Sequence, residues 1–136
     1  TYISLLNIRY EKEFNIQLKI DDNVKKYRML KLSLQPIIEN AVFHGIKNKP
    51  DGLISITATE YPDILTIDID DNNSGLTDEK LDEMNTYILN PPDNSESIGL
   101  YNVNKRISIV FGKDYGLTLL KSPLGGLKVR MRFPKH

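Results

Sequence analysis

The sequence contains no cysteine and only two histidines, His44 and His136. Without cysteine the chain can form neither a disulfide nor a thiolate metal site, and this composition fits a reducing compartment. Two histidines are also too few to make a histidine-based zinc site an expected feature. These absences exclude the disulfide-stapled scaffolds and argue against the zinc-dependent classes.

Long apolar runs and an excess of basic charge are also missing. No apolar run approaches the length needed to cross a bilayer, and the first residues do not resemble a signal peptide. Basic and acidic residues number 18 each, so the net charge is zero and nucleic acid is not an expected partner. Hydrophobic residues make up 40% of the 136 residues, which is enough for one packed core in a single domain.

The hydrophobic pattern predicts an α/β domain without repeats. Residues 1–14 read as a helix already under way at Thr1, so we expect the chain to be a fragment of a longer protein. A strand at 15–21 and an uncertain link at 22–32 are expected next. A helix at 33–46 is expected to follow, capped by Ser33 and with Pro36 in its first turn. The later elements are expected as strands at 53–60 and 63–71, helices at 77–90 and 99–111, and two closing strands, the second at 127–133. This order predicts a two-layer sandwich in which helices cover one face of a mixed, mostly antiparallel sheet.

Asp71 is the most informative polar position. In the strand before it, Leu65, Ile67 and Ile69 alternate with polar residues, and the two-residue period places Asp71 on the apolar face. An inward carboxylate requires a donor, because burying an unpaired charge is costly, and the exocyclic amine of adenine would supply one. The pattern favours equally the alternative that the strand ends at Asp70 and that Asp71 only caps a turn.

Asn40 and His44 lie on the predicted helix at 33–46, beside Ile37 at the edge of its apolar stripe. From that edge, the carbonyl oxygen of Asn40 could reach a phosphate-bound Mg²⁺, an ion that prefers a few oxygen ligands together with nucleotide phosphates. The plainer alternatives are an Asn40 that bonds to a neighbouring loop and a His44 that is only a rim residue. The helix pattern by itself favours these alternatives.

Two glycine-containing segments could lie close to a ligand. Residues 97–100 begin a helix whose unpaired N–H groups attract anions, and Gly99 permits close approach of the backbone. Many helices begin in this way, so the pattern is weak by itself. Gly125 and Gly126 stand between the last two strands, where a plain hairpin turn is the favoured interpretation.

Taken together and in order, four segments resemble the successive motifs of the ATP-binding domain of sensor histidine kinases. They are LQPIIENAVFHG (34–45), DDNNSG (70–75), SIGLYNVNKRI (97–107) and SPLGGLKVRMRFP (122–134). The first motif is most similar to that of the subfamily of kinases that resemble YesM and LytS. Gyrase, Hsp90 and MutL belong to the same superfamily but lack this sequence motif. The resemblance implies a histidine kinase-type ATPase fold that uses ATP and Mg²⁺.

The resemblance also implies a role for each matching residue. Asn40 is similar to the family's Mg²⁺ ligand, and Glu39 to an acidic residue that helps to orient or activate the acceptor histidine. Asp71 is similar to the residue that receives the adenine amine. Further nucleotide contacts are implied for His44, Gly75, Gly99, Leu100, Asn102 and Arg106.

The resemblance further implies an arrangement of the whole protein. Residues 1–14 would be the end of the dimerisation and phosphoacceptor helix, residues 15–136 the catalytic domain and residues 76–98 its lid. Neither His44 nor His136 resembles the acceptor, so the phosphoryl group is expected to pass to a histidine outside this sequence. The expected partners are the protein's own phosphoacceptor domain, within a homodimer, and a response regulator. The domain is expected on the cytoplasmic side of the cell membrane.

Four departures from the family motifs favour a second hypothesis. Asn73 and Ser97 replace motif glycines. Asparagine tolerates the left-handed conformation better than most residues, whereas serine is a good helix cap that would stiffen the hinge of the lid. Leu127 replaces a threonine, and Phe43 replaces a basic residue that often touches phosphate. If these changes disable the pocket, the domain is a non-catalytic nucleotide-binding or docking module of a sensor receptor. A gyrase- or Hsp90-like hydrolase is less favoured, because Pro36 occupies the position of the acidic general base.

Overall fold

A computed structural model describes residues 3–9, 15–21, 24–40, 54–72, 76–92 and 98–134 of the chain. The elements are β1 (Ile3–Arg9), β2 (Asn15–Asp21), α1 (Val24–Asn40), β3 (Ile54–Glu60), β4 (Ile64–Asp71), α2 (Asp78–Tyr87), α3 (Ile98–Phe111), β5 (Gly116–Lys121) and β6 (Leu127–Pro134). They form a four-stranded sheet in the order β3-β4-β6-β5 and a separate hairpin of β1 and β2. No helix in these ranges is long and apolar enough to span a membrane.

Alternating apolar and polar residues determine the two faces of the four-stranded sheet. The apolar face carries three buried cross-strand pairs of β4 and β6: Leu65 with Phe133, Ile67 with Met131, and Ile69 with Val129. Every strand pair among the described residues is antiparallel. The predicted α/β architecture, with helices on one side of the sheet, is therefore confirmed.

Helices α1 and α3 cover the apolar face of this sheet. Helix α1 contributes apolar residues spaced three or four positions apart, which places them on one side of the helix: Met29, Leu30, Leu34, Ile37 and Ile38. Helix α3 contributes an apolar stripe at the same spacing, of which Leu100, Val103 and Ile107 are buried. Near its end, the ring of Phe111 meets the ring of Phe133 edge to face, with 5.9 Å between the ring centroids.

The other face of the sheet carries paired charges. Arg130 donates two hydrogen bonds, 2.8 and 3.1 Å long, to the carboxylate of its cross-strand neighbour Asp68. The Nζ atom of Lys128 lies 3.7 Å from the same carboxylate and 3.9 Å from that of Asp70. The hydrogen bond with Asp68 raises the pKa of Arg130, so its guanidinium stays charged. Charged side-chain pairs between β4 and β6 therefore stabilise strand pairing on this face, whereas apolar packing does so on the opposite face.

Three predictions for the first forty residues are wrong. Residues 3–9 form a strand paired with β2, whereas a helix was expected over 1–14. The link expected at 22–32 is helical from Val24 onward, because Met29 and Leu30 continue the apolar stripe of α1. Ser33 consequently lies inside the helix and is fully buried, so it is not the N-cap. The expected end of this helix, at residue 46, lies outside the described residues.

The expected strands and helices after residue 53 are confirmed, with small differences at their ends. The turn between β5 and β6 is also confirmed as a hairpin. In this turn the N–H of Ser122 donates to the carbonyl oxygen of Gly126 at 2.8 Å, and the N–H of Gly125 donates to that of Ser122 at 3.0 Å. Correct register across this hairpin matters for the site, because it sets where Leu127 meets β4.

Candidate functional site

Asp71 is the last residue of β4, and its side chain lies on the apolar face of the sheet. It is paired with Ile54 of β3 and is only 5% exposed. Its Oδ1 atom accepts a 3.1 Å hydrogen bond from the backbone N–H of Leu127, the first residue of β6. The predicted inward orientation of Asp71 is therefore confirmed, and the alternative of a strand that ends at Asp70 is wrong.

Asp71 stands where four strand ends meet. Strands β3 and β6 begin at Ile54 and Leu127, while β4 and β5 end at Asp71 and Lys121. The two oxygens of a carboxylate can together accept about four hydrogen bonds. The bond from Leu127 therefore orients one oxygen of the carboxylate.

Helix α3 runs antiparallel to β5, and its first turn points toward the same end of the sheet. The Oγ of Ser108 donates to the carbonyl oxygen of Tyr115 at 2.8 Å. One turn earlier in the helix, Oδ1 of Asn104 accepts the N–H of Leu117, also at 2.8 Å. Moving toward the start of α3 therefore means moving toward the end of β5. This geometry directs the N-terminal N–H groups of α3 to the sheet end that carries Asp71.

The first half of α3 separates buried residues from exposed ones. Leu100 is 3% exposed and packs in the core, so it helps to hold the helix against the sheet. Gly99 is exposed, and a Cβ added there would meet no described atom within 4 Å. Asn102 and Arg106 are exposed and lie four residues apart on one side of the helix. Contacts among the described residues therefore do not require glycine at position 99.

Asn40 and Glu39 are the last two residues of α1, and the helix turns them to different sides. Asn40 is half-buried, whereas Glu39 is exposed and accepts a 2.9 Å hydrogen bond from the side chain of Gln35. Among the described residues, no hydrogen bond or ion pair joins Asn40 to Asp71. Further residues singled out from the sequence lie outside the described ranges: Phe43, His44, Asn73, Gly75 and Ser97.

The sequence analysis missed three contacts around the site. It did not identify the Leu127 N–H as the donor to Asp71, and it did not single out Asn104. It also missed Asn85 of α2, whose Nδ2 donates to the carbonyl oxygen of Leu119 at 3.0 Å and whose Oδ1 accepts the Leu119 N–H at 3.2 Å. A backbone donor has no residue-type signature, and an asparagine in a polar helix pattern reads as a surface residue. Only the fold reveals these contacts.

Sequence comparison links the chain to a family and to curated relatives. Residues 29–136 match the family described as histidine kinase-, DNA gyrase B- and HSP90-like ATPase. The chain is 30% identical to the sensor histidine kinase YesM of Bacillus subtilis, over 98% of this chain and 22% of that protein. It is 27% identical to the sensor histidine kinase BtsS of Escherichia coli, again over 98% of this chain and 22% of that protein. The chain therefore spans about a fifth of the length of these relatives.

Structural comparison supports the same fold. The crystal structure of the ATP binding domain of PrrB from Mycobacterium tuberculosis matches with a TM-score of 0.59 at 23% sequence identity. The match covers 90% of this chain and 75% of that chain. The likeness extends over most of both chains and is one of fold.

Proposed function

Because the chain belongs to the histidine kinase-, DNA gyrase B- and HSP90-like ATPase family, we propose that it is the ATP-binding catalytic domain of a sensor histidine kinase. In this role it holds ATP with Mg²⁺ and positions the γ-phosphoryl group for transfer to a histidine outside residues 1–136. The observation that carries the proposal is the buried carboxylate of Asp71, which faces the apolar side of the sheet and is oriented by Leu127.

The surroundings of Asp71 suit recognition of an adenine base. The exocyclic amine of adenine is a hydrogen-bond donor, and a carboxylate is an acceptor with capacity for several donors. The neighbouring side chains of Ile54 and Ile69 are apolar and buried, so a hydrogen bond at Asp71 forms in a low dielectric, where it is strengthened. Guanine would present a carbonyl oxygen in place of the amine, so the site is expected to prefer adenine.

The first turn of α3 suits the phosphates of the same nucleotide. Helix N-termini attract anions through their unpaired N–H groups and the helix dipole, and no atom of the described residues lies within 4 Å of a Cβ placed at Gly99. Because this turn points to the sheet end that carries Asp71, one nucleotide extending from base to phosphates satisfies both contacts. Asn102 and Arg106 add polar and positive groups on the exposed side of α3.

The amide oxygen of Asn40 is the proposed protein ligand of Mg²⁺. Among the described residues, no group of three histidine or acidic side chains could hold a metal ion. Phosphate oxygens and waters would supply the remaining ligands, as is usual for Mg²⁺. When bound, Mg²⁺ supplies charge neutralisation for the phosphates. Glu39 is proposed to orient or activate the acceptor histidine, and His44 and Gly75 are proposed further nucleotide contacts.

In the proposed reaction, the bond between the γ-phosphorus and the β–γ bridging oxygen breaks, a bond to a histidine nitrogen forms, and ADP leaves. Phosphoryl transfer requires mainly positioning and charge neutralisation, and the residues above can provide both. Residues 76–98 are proposed to act as the lid over the phosphates, and residues 1–14 to continue from the dimerisation and phosphoacceptor region. In the whole protein, a homodimer that signals to a response regulator from the cytoplasmic side of the membrane is proposed.

Calorimetric titration with a non-hydrolysable ATP analogue tests this proposal. We expect saturable binding with Mg²⁺ present, weaker binding after chelation of Mg²⁺, and weaker binding of the matching GTP analogue. Absence of measurable binding at every concentration reached would support a non-catalytic docking module. Phosphohistidine at His44 or His136 after incubation with ATP would contradict the assignment of the acceptor to a segment outside this chain.

A further inference from the structure

The outer edge of β5 is closed by side chains. Strand β5 is the last strand of the four-stranded sheet, and its antiparallel pairing with β6 leaves alternate backbone groups pointing outward. Groups of this kind at Tyr115, Leu117 and Leu119 are hydrogen-bonded to side chains of α2 and α3. An edge covered in this way cannot pair with another strand, and the two helices that cover it are held to the sheet.

Asn104 attaches α3 to the start of β5 through a closely packed contact. Its Oδ1 accepts the N–H of Leu117 at 2.8 Å, and Ser108 makes the next contact, with Tyr115, one turn later. A Cβ at Gly116 would collide with the same Oδ1 atom. Gly116 also has a φ of +143°, a conformation that residues with side chains rarely adopt. Glycine at this position therefore serves both the backbone conformation and the close approach of Asn104.

Asn85 attaches α2 to the middle of the same strand. Its amide forms the paired 3.0 and 3.2 Å hydrogen bonds with the backbone of Leu119. At the end of β5, Lys121 forms an ion pair with Asp78 in the first turn of α2. Both charged side chains are largely exposed, so this pair stabilises the attachment only slightly. Asn85 is therefore the main polar link between α2 and the sheet.

We propose that Asn104 and Asn85 are positioning residues, which hold α3 and α2 on the edge of β5 and so fix the first turn of α3 relative to Asp71. The inference rests on the proposed function, because that turn and Asp71 are two proposed nucleotide contacts. Neither asparagine needs to touch the nucleotide, since each amide oxygen is engaged with the backbone of β5. A displacement of about 1 Å is enough to weaken a positioned contact severely, so loosening the attachment should reduce nucleotide binding.

Amide hydrogen exchange without nucleotide tests the attachment by itself. In Asn104→Ala, the Leu117 amide loses its acceptor, and its exchange should accelerate by about tenfold while the Leu119 amide stays protected. Asn85→Ala should give the opposite pattern. Asn104→Asp keeps an oxygen acceptor in place and should keep Leu117 protected. No acceleration in either alanine variant, or equal acceleration at both amides in both variants, would overturn the attachment.

Gly116→Ala provides a second test through its collision with Asn104. The added methyl group should raise the fraction of unfolded protein strongly in the parent but less when Asn104 is already alanine, because the colliding oxygen is then gone. The measurement is the unfolding equilibrium of the four proteins in urea. The strain from the positive φ of Gly116 remains in both backgrounds, so only the difference between the backgrounds reports the collision with Asn104. Equal effects in both backgrounds would contradict the close approach.

Affinity for a non-hydrolysable ATP analogue tests the positioning role. Asn104→Ala and Asn85→Ala should each weaken binding by about threefold or more at a temperature where both remain folded. Asn104→Asp keeps an oxygen acceptor, so it should bind the analogue more tightly than Asn104→Ala does, with an affinity close to that of the parent. This comparison is made at high salt, which screens the added charge. Ala58→Gly is the matched control. Ala58 lies in β3, the edge strand opposite β5, so the substitution destabilises a strand that does not contact β5.

The outcomes separate this inference from the proposed function. If Ala58→Gly weakens binding as much as the asparagine variants, the effect is general destabilisation and the positioning role is wrong. If the parent and both alanine variants bind equally well, the positioning role alone is refuted. If the parent does not bind the analogue, the proposed function fails and the positioning role fails with it, while hydrogen exchange still decides whether the attachment exists.

Discussion

Replacing Asp71 by asparagine should weaken binding of an ATP analogue by roughly ten- to hundredfold and change the stability of the fold little. The asparagine side chain has nearly the same shape and can still accept the hydrogen bond from the Leu127 N–H, which is 3.1 Å long in the parent. It presents an amide NH₂ group, which is a donor, in place of the second carboxylate oxygen, which is an acceptor. A hydrogen bond to a charged group contributes about 1.5–3 kcal/mol, and about 1.4 kcal/mol corresponds to tenfold in affinity.

Two further variants separate recognition from stability. Asp70→Asn is the matched control, because Asp70 is adjacent and buried but lies on the opposite face, 3.9 Å from Lys128. This variant should bind the analogue like the parent. Asp71→Ala removes the acceptor of the partly buried Leu127 N–H and should lower the free energy of unfolding by about 1–3 kcal/mol, in contrast to Asp71→Asn.

Calorimetry gives the affinities and urea denaturation gives the stabilities, in the same buffer. A purine nucleotide analogue without the 6-amino group adds a direct check, because it should bind the parent weakly and lose little more in Asp71→Asn. Equal weakening by Asp70→Asn and Asp71→Asn would refute this reasoning. Parent-like affinity in Asp71→Asn would refute it as well.

The remaining predictions concern stability and are all measured by urea denaturation. Thr77→Ala removes the oxygen that accepts the Lys80 N–H at 3.1 Å and should destabilise the protein by about 1 kcal/mol, whereas Thr77→Ser should not. Ile107→Val, at a fully buried position, should cost about 0.5–1.5 kcal/mol, and a smaller loss would indicate a loose core. Arg130→Leu should cost about 1 kcal/mol, because its partly exposed pair with Asp68 is screened by solvent. The pKa of Arg130 is raised in the folded state, so its stabilisation is complete at neutral pH and is lost only as the pH rises through that pKa. The cost should therefore stay constant between about pH 6 and 9, and a decline in that range would contradict the ion pair.

The elements after residue 53 could be predicted because their local patterns are unambiguous. Alternation in β4 and β6 defines one apolar face for each strand, and the three- and four-residue spacing in α3 defines one apolar stripe. The orientation of Asp71 followed from the same two-residue period, once the strand was known to extend through it. In these segments, local preference and tertiary packing favour the same structure.

The first forty residues illustrate where local patterns fail. Apolar residues in 1–14 fit a helical spacing, but Ile3–Arg9 forms a strand because it pairs with β2, and a short local pattern does not encode that choice. Pro36 suggested a helix that begins nearby, since proline is frequent in the first turn. In the structure Pro36 lies well inside α1, and buried Met29 and Leu30 before it show that packing outweighs this local preference.

The contacts that shape the candidate site depend on long-range register, which the sequence does not display. Asp71 and Leu127 are 56 positions apart, and Asn85 and Leu119 are 34 positions apart. In each pair one partner is a backbone group, so no residue-type motif identifies it. The motifs pointed to the correct strand and helix, but the atoms that orient Asp71 and attach α2 emerged only from the assembled sheet.

The most direct test of the proposed function is the distance between the adenine amine and the Asp71 carboxylate in a crystal structure with Mg²⁺ and a non-hydrolysable ATP analogue. We predict a hydrogen bond of about 3 Å between the amine nitrogen and a carboxylate oxygen, with the phosphates at the first turn of α3. A base bound elsewhere, with its amine in solvent and Asp71 contacted only by protein, would contradict the assignment.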